Sequence, residues 1–357
     1  MELKKLGFPV LGTSHMSVET EGSMADCMIL NLHLFTAHRV LYLLDSFVAK
    51  NPDQLYEGIY KIKWEHYLRE DGYFSISSYS DNEHVVDTRY TNLRCKDAIA
   101  DRMVSVFGKR PDSGPMKNRA VIFVHWKNKD VRVYFDTSGD TISKHGYRKV
   151  PWKAPLQESL AAAIIMATSW DMKTHFINPM CGSGTLAIEA ALMAQHRAPG
   201  LLRSNFGFMH IKGFDITLWN KCRKEAAQKK IKTEGYRIIA TDIDDRAIKA
   251  AKENAKTAGV NHYIEFVKCP FEETEIPQGN GIVLLNPEYG LRMGEEKHLK
   301  ATYKAIGDFF KKKCRGYTGY VFTGNLQLAK NIGLRTSKKI EFYNAKIDSR
   351  LLEYQLY

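Results

Sequence analysis

Asn178-Pro-Met-Cys-Gly-Ser-Gly-Thr-Leu-Ala187 follows the short apolar run His175-Phe-Ile177 and opens into Leu186-Ala-Ile-Glu-Ala-Ala-Leu-Met193. The order is strand, glycine turn, helix. Gly182 and Gly184 let the chain turn tightly and let a ligand come close to the backbone. Thr185 is expected to help cap the new helix, whose free N–H groups favour electron-rich ligand atoms. The run fits G-x-G-x-x-A, so taken alone it points only to a nucleotide-like cofactor. A second segment, Ile282-Val-Leu-Leu-Asn286-Pro-Glu-Tyr289, reads as another buried strand ending in a polar and aromatic loop.

Around these two segments, apolar runs at 176–177, 237–241, 263–267, 281–285 and 316–323 alternate with helical stretches. That alternation predicts a parallel, doubly wound α/β sheet. The end of the chain reads as two strands, 339–342 and 350–356, joined at 344–348. Upstream, two prolines within 149–155 suggest a boundary. Before it lies a smaller α+β region. Residues 24–44 are apolar at helical spacing, 73–79 alternate like a half-buried strand, and 95–107 read as a helix. Residues 120–126 and 131–135 read as strands joined by a turn at 127–130. Trp126 is expected in the core. The residues to Ser23 are sparse in pattern and look like a shortened lead. The expected division is therefore 1–23, 24–150 and 151–357.

Composition narrows the class. A chain of 357 residues accommodates two cores. Apolar content of 44% and a mean hydropathy of -0.35 are those of a globular protein, with no run of membrane-span length. No membrane association is expected. The six cysteines include no C-x-x-C pair, so neither a zinc site nor a disulfide framework is suggested, and a reducing cytoplasm fits best. A net charge of +12 suits a polyanionic partner or simply a soluble basic protein. The basic runs at 221–232 (KCRKEAAQKKIK) and 311–315 (KKKCR) have helical composition and read as solvated faces or as RNA contacts.

The two site segments, in this order, resemble the class I S-adenosylmethionine (SAM) methyltransferases that act on an exocyclic amine. More closely, the chain resembles the THUMP-containing RNA methyltransferases, in the bacterial branch that methylates guanine N2 of 23S rRNA. Lys96-Asp-Ala-Ile-Ala-Asp101, Asp136-Thr-Ser-Gly-Asp140, Gly146-Tyr-Arg148, Pro155-Leu-Gln-Glu-Ser-Leu-Ala-Ala-Ala-Ile164 and Arg197-Ala-Pro-Gly-Leu201 extend the likeness from about Val18 onward. The resemblance implies a Rossmann-like methyltransferase sheet with a C-terminal antiparallel hairpin, preceded by a THUMP-type RNA-binding domain.

It also implies roles for particular residues. Asn178, Pro179, Cys181, Gly182, Ser183, Gly184 and Thr185 would cradle the methionine part of SAM. Asp242 would accept the ribose hydroxyls, with Ile243 beside it and Asp244 as the next N-cap. Cys269, Pro270 and Phe271 would border the adenine. The family usually has aspartate where Cys269 stands, and cysteine is a poor substitute acceptor. Adenine binding would then lean on Pro270 and Phe271, with Cys269 either in contact or packed in the core.

Asn286 and the Pro287 carbonyl would accept the amine hydrogens, and Tyr289 would stack on a flipped-out base. No metal is required. The family pattern is Asn-Pro-Pro-Tyr, and Glu288 replaces its second proline. Glu288 points to solvent, reshapes specificity, or marks a weakened enzyme. His145 stands where the family has arginine. Lys96, Arg102, Lys144, Tyr147 and Arg148 are the candidate RNA contacts.

The expected activity is methyl transfer to guanosine N2 in 23S rRNA or a large-subunit precursor, with a separate partner methyltransferase possible. The alternatives are guanosine N2 in tRNA, another nucleic-acid amine such as adenine N6 in DNA, or a catalytically inactive RNA-binding assembly factor.

Overall fold

The computed structural model describes residues 1–14, 16–83, 85, 87–153, 155–231, 234–290, 296–344 and 347–357. Ala154 of the expected boundary, Lys232 of the first basic run, and Ala345 and Lys346 of the expected C-terminal turn lie outside them. The chain forms two compact units, 1–142 with 203–228, and 143–202 with 229–357.

In the first unit a small antiparallel pair, β1 (Gly12–Thr13) and β2 (Val18–Glu19), precedes a five-stranded sheet. The sheet contains β3 (Leu41–Val48), β4 (Tyr73–Asp81), β5 (Asp112–Ser113), β6 (Ala120–Lys127) and β7 (Asp130–Asp136), in the order β3-β7-β6-β4-β5. Helices Pro52–Lys61 and Thr88–Phe107 cover the face that carries Phe74, Ile122, Val124, Trp126, Val133 and Phe135. Trp126 is fully buried and its indole N–H donates to the Ala49 carbonyl at 3.1 Å. The expected turn is a tight one, with Lys127 paired to Asp130 and Asn128 at φ 53°.

The apolar stretch 24–44 does not form one helix. Ser23 and Asp26 make a capping box that starts a helix at Met24, and this helix ends at His33. Leu41 onward pairs with β7 as a strand. Cross-strand pairing overrides a spacing that a short apolar run leaves ambiguous.

The segment Arg203–Gln228, placed by sequence in the second domain, is part of the first unit. Phe206 and Phe208 stack at 5.2 Å, both meet Trp219 edge-on, and Ile211 enters the first unit's core. Burying these large side chains commits the segment to that unit.

The second unit is a seven-stranded sheet. Its strands are β8 (His175–Pro179), β9 (Ile238–Asp242), β10 (Ile264–Lys268), β11 (Gly281–Leu285), β12 (Thr318–Thr323), β13 (Lys338–Asn344) and β14 (Ile347–Gln355). The order is β10-β9-β8-β11-β12-β14-β13. Neighbours from β10 to β12 are parallel, and β14 is antiparallel to both β12 and β13. The strand order reverses between β8 and β11, which makes a switch point where the carboxyl ends open a crevice. The alternating sheet and the closing hairpin agree with the sequence reading. Among the described residues no helix is long and apolar enough to cross a membrane.

Candidate active site

The glycine turn after β8 is bent by three residues at positive φ: Met180 (55°), Gly182 (55°) and Gly184 (81°). A side chain at Gly184 would stand 2.9 Å from Ala251 Cβ, so the helix Asp245–Ala258 packs directly on its backbone. Gly182 faces open space: among the described residues only Trp152 comes near an added Cβ, at 3.9 Å. Gly184 permits close packing, and Gly182 leaves room for a ligand. Thr185 does not cap the helix Thr185–Ala194. The N-cap is Gly184, with no side-chain cap, and the Thr185 hydroxyl accepts from Arg148 Nη2 at 3.2 Å. Burial pushes the Cys181 thiol well above its usual range, so this cysteine is an uncharged packing group.

Asp242, at the end of β9, is oriented by the loops on either side. Its Oδ2 accepts from the Gly182 N–H and its Oδ1 from the Asp244 N–H, both at 2.9 Å. A carboxylate has about four acceptor positions, so each oxygen keeps one for a ligand hydroxyl. Asp244 caps the following helix through the Arg246 N–H. Ile243 is 69% exposed beside it, an apolar side chain left uncovered at the strand end.

Cys269 is half-buried, and its N–H donates to the Asp242 carbonyl at 3.2 Å. The Phe271 ring is turned into the core, edge-on to Phe309 at 5.9 Å. The Phe271 ring is therefore a core group, where the sequence reading had it packing on adenine.

At the switch point, Asn178 Nδ2 donates to the Leu284 carbonyl at 2.8 Å and ties β8 to β11. Beyond β11, Pro287 is buried, Glu288 is exposed and Tyr289 is half-buried. Asn286 Oδ1 is buried with no hydrogen-bond partner among the described residues, and so is Asn178 Oδ1. A buried, unmet carbonyl costs about 1–3 kcal/mol and is expected where a ligand brings the missing donor.

The RNA candidates fare differently. Tyr147 is buried, its hydroxyl donating to Glu189 Oε1 at 2.8 Å, and His145 Nδ1 meets the same oxygen at 2.8 Å. Arg148 bonds to Leu156 and Thr185 and pairs with Glu158. These residues brace the glycine turn and its helix from inside, which corrects the reading of Tyr147 and Arg148 as RNA contacts. Arg102 is engaged by Glu65, Lys96 lies 3.9 Å from Asp97, and Lys144 is exposed.

Glu189 had one sequence signal: it is the single charge in the apolar helix 185–194. Asn254 had none. It is fully buried and accepts from the N–H groups of Lys149 and Val150, while donating to the carbonyls of Val150 and Ser183.

A 3-2-1-4-5-7-6 strand order, a glycine turn after the first strand and an acid after the second define a class I methyltransferase fold. Comparison with known proteins narrows this. A family model described as the RMKL-like methyltransferase domain matches residues 145–353, a THUMP domain matches 49–136, and the RlmL ferredoxin-like domain matches 1–41. That last match covers the segment read from sequence as a shortened lead.

A Synechocystis protein named "Putative RNA methyltransferase slr0064" is 32% identical over the whole chain, which covers 93% of it. The ribosomal RNA large subunit methyltransferase K/L of Syntrophotalea carbinolica is 33% identical over 99% of the chain. The chain spans about half the length (51%) of that relative. A crystal structure titled as SMU.472, a putative methyltransferase complexed with SAH, superposes with a TM-score of 0.89 at 26% identity, covering 100% of this chain and 94% of that one. The chain belongs to the RMKL-like methyltransferase family and carries its THUMP domain.

The cofactor this class implies is SAM. The residues present fit it: an open glycine backbone, a carboxylate with spare acceptor positions, and an uncovered isoleucine.

Proposed function

We propose that this protein is a SAM-dependent RNA methyltransferase that modifies the exocyclic N2 amine of a guanosine in 23S rRNA, free or within a large-subunit precursor. The observation that carries the reading is the buried side-chain oxygen of Asn286, which has no hydrogen-bond partner among the described residues and stands beside a buried Pro287 at the switch point. The THUMP domain and the relatives named as ribosomal RNA large subunit methyltransferases support RNA as substrate.

In this reading the glycine turn and Asp242 hold the cofactor, which supplies an activated, electrophilic methyl group when bound. Guanine's exocyclic amine is a poor nucleophile because its lone pair is conjugated with the ring. Asn286 Oδ1 and the Pro287 carbonyl accept hydrogen bonds from its two N–H groups and favour the geometry in which that lone pair faces the methyl group, and one of those protons is lost to solvent once the nitrogen is methylated. Tyr289 supports the extruded base from one side. What remains for the protein is alignment and exclusion of water.

The test is incubation with isotope-labelled SAM and unmodified 23S rRNA, followed by digestion to nucleosides. Labelled N2-methylguanosine is expected. Measurable SAM binding without label in any guanosine of that RNA refutes the rRNA assignment.

The same reading predicts a gain of function at Cys269. Cys269→Asp would place a carboxylate acceptor beside the adenine amine and is expected to lower the SAM dissociation constant about tenfold, from one hydrogen bond to a charged group worth about 1.5 kcal/mol. Titration calorimetry checks it, and an unchanged constant would place the adenine elsewhere.

A further inference from the structure

Tyr289 is held by a residue 55 positions away in the chain. Its hydroxyl accepts from Asn344 Nδ2 at 2.9 Å. Asn344 is the last residue of β13 and lies opposite Ile347, the first residue of β14. The ring edge rests on Gly324, where an added Cβ would stand 2.9 Å from Tyr289 Cε2 and 2.6 Å from Ile347 Cγ2. Tyr289 after β11, Gly324 after β12 and Ile347 at the start of β14 therefore pack closely together.

Gly324 is itself fixed from both sides. The hydroxyls of Thr323 and Tyr303 bond at 2.8 Å, and the Asn325 N–H donates to Thr323 Oγ1 at 3.1 Å. Asn325 in turn caps the short helix Leu326–Ala329.

We infer that Asn344 is a positioning residue for methyl transfer, which orients the Tyr289 ring in a loop whose backbone Pro287 restrains but Glu288 leaves free. The inference rests on the activity proposed above. Proline at position 288 would lock φ near -65°, and glutamate returns that rotation to the loop. The Glu288 side chain is exposed and does not replace that restraint. The side-chain bond from the hairpin fixes the loop from its far end instead. It also engages the tyrosine hydroxyl, so that the ring face is the part of Tyr289 left for a base. Stacking requires the ring's orientation and makes no use of hydroxyl chemistry.

The experiment compares Asn344→Ala, Tyr289→Phe and Glu288→Pro, singly and in pairs, in the full chain. Asn344→Ala and Tyr289→Phe are each expected to slow single-turnover methyl transfer to 23S rRNA about five- to tenfold, with SAM affinity unchanged. Their double variant is expected to be no slower than either single one, because both remove the same bond. Adding Glu288→Pro to Asn344→Ala is expected to restore most of the rate.

Amide hydrogen exchange of the peptide containing Tyr289 gives a second readout that needs no RNA. It is expected to quicken in Asn344→Ala and to slow again when Glu288→Pro is added. Additive losses in the Asn344→Ala/Tyr289→Phe pair, or exchange unmoved by Asn344→Ala, would overturn the inference. If the wild-type protein methylates no RNA, the proposed activity fails, and the exchange result alone decides the positioning role.

Discussion

Asn286→Ala is expected to slow methyl transfer by about 10²–10³-fold while leaving SAM affinity within about twofold, the effect usual for removing one preorganised polar group at a reacting centre. The side-chain oxygen of Asn286 is buried and has no hydrogen-bond partner among the described residues. It therefore needs no reorganisation to receive an amine hydrogen. Alanine removes the acceptor and leaves a gap that water can enter, so the amine loses its orientation as well as its partner. The residue sits after β11, while the proposed cofactor groups follow β8, β9 and β10, which is why the two functions should separate. Rapid-quench measurement with labelled SAM gives the rate, and calorimetry gives the affinity. A loss of SAM binding equal to the loss in rate would mean that Asn286 belongs to the cofactor site.

Asp242→Asn is expected to weaken SAM binding by about 10²-fold, or about 3 kcal/mol, with two hydrogen bonds to a charged acceptor contributing at the low end of their range. The substitution keeps the shape and changes the chemistry. Asp242 receives the Gly182 N–H on one oxygen and the Asp244 N–H on the other. An amide can turn its oxygen to only one of them. Its NH₂ then meets the other donor and also faces one of the ribose hydroxyls. Because Gly182 loses or keeps its partner in the process, the variant tests the glycine turn as well as the ribose contact. A dissociation constant within threefold of wild type would show that Asp242 serves the turn alone.

Much of the architecture is legible in the sequence because it depends on local pattern. The apolar run 281–285 has the same bounds as the strand it forms, and β8, β9, β10 and β12 lie within one or two residues of their apolar runs. Strands buried on both faces are continuous apolar runs, and the glycines mark the turn that follows the first of them. Features that depend on distant partners are hidden or misleading. Residues 41–48 form a strand because β7 lies beside them. Tyr147 and Arg148 look like surface RNA contacts until Glu189, Glu158 and Thr185 are seen to engage them. Phe271 has a place in the cofactor motif, yet its ring is turned into the core by Phe309.

By itself, the sequence determined the alternation of strands and helices in the second unit, the glycine turn, the acid at the end of β9, and the Asn286-Pro-Glu-Tyr289 loop. Each is set by backbone conformation and side-chain type within a few residues. Only the tertiary structure decided which polar atoms already have partners. It left the Asn286 and Asn178 side-chain oxygens without a partner among the described residues, bound both oxygens of Asp242 once, and joined Asn344 to Tyr289. A hydrogen bond between residues far apart in the chain exists only after the strands have been ordered side by side, so no local pattern records it.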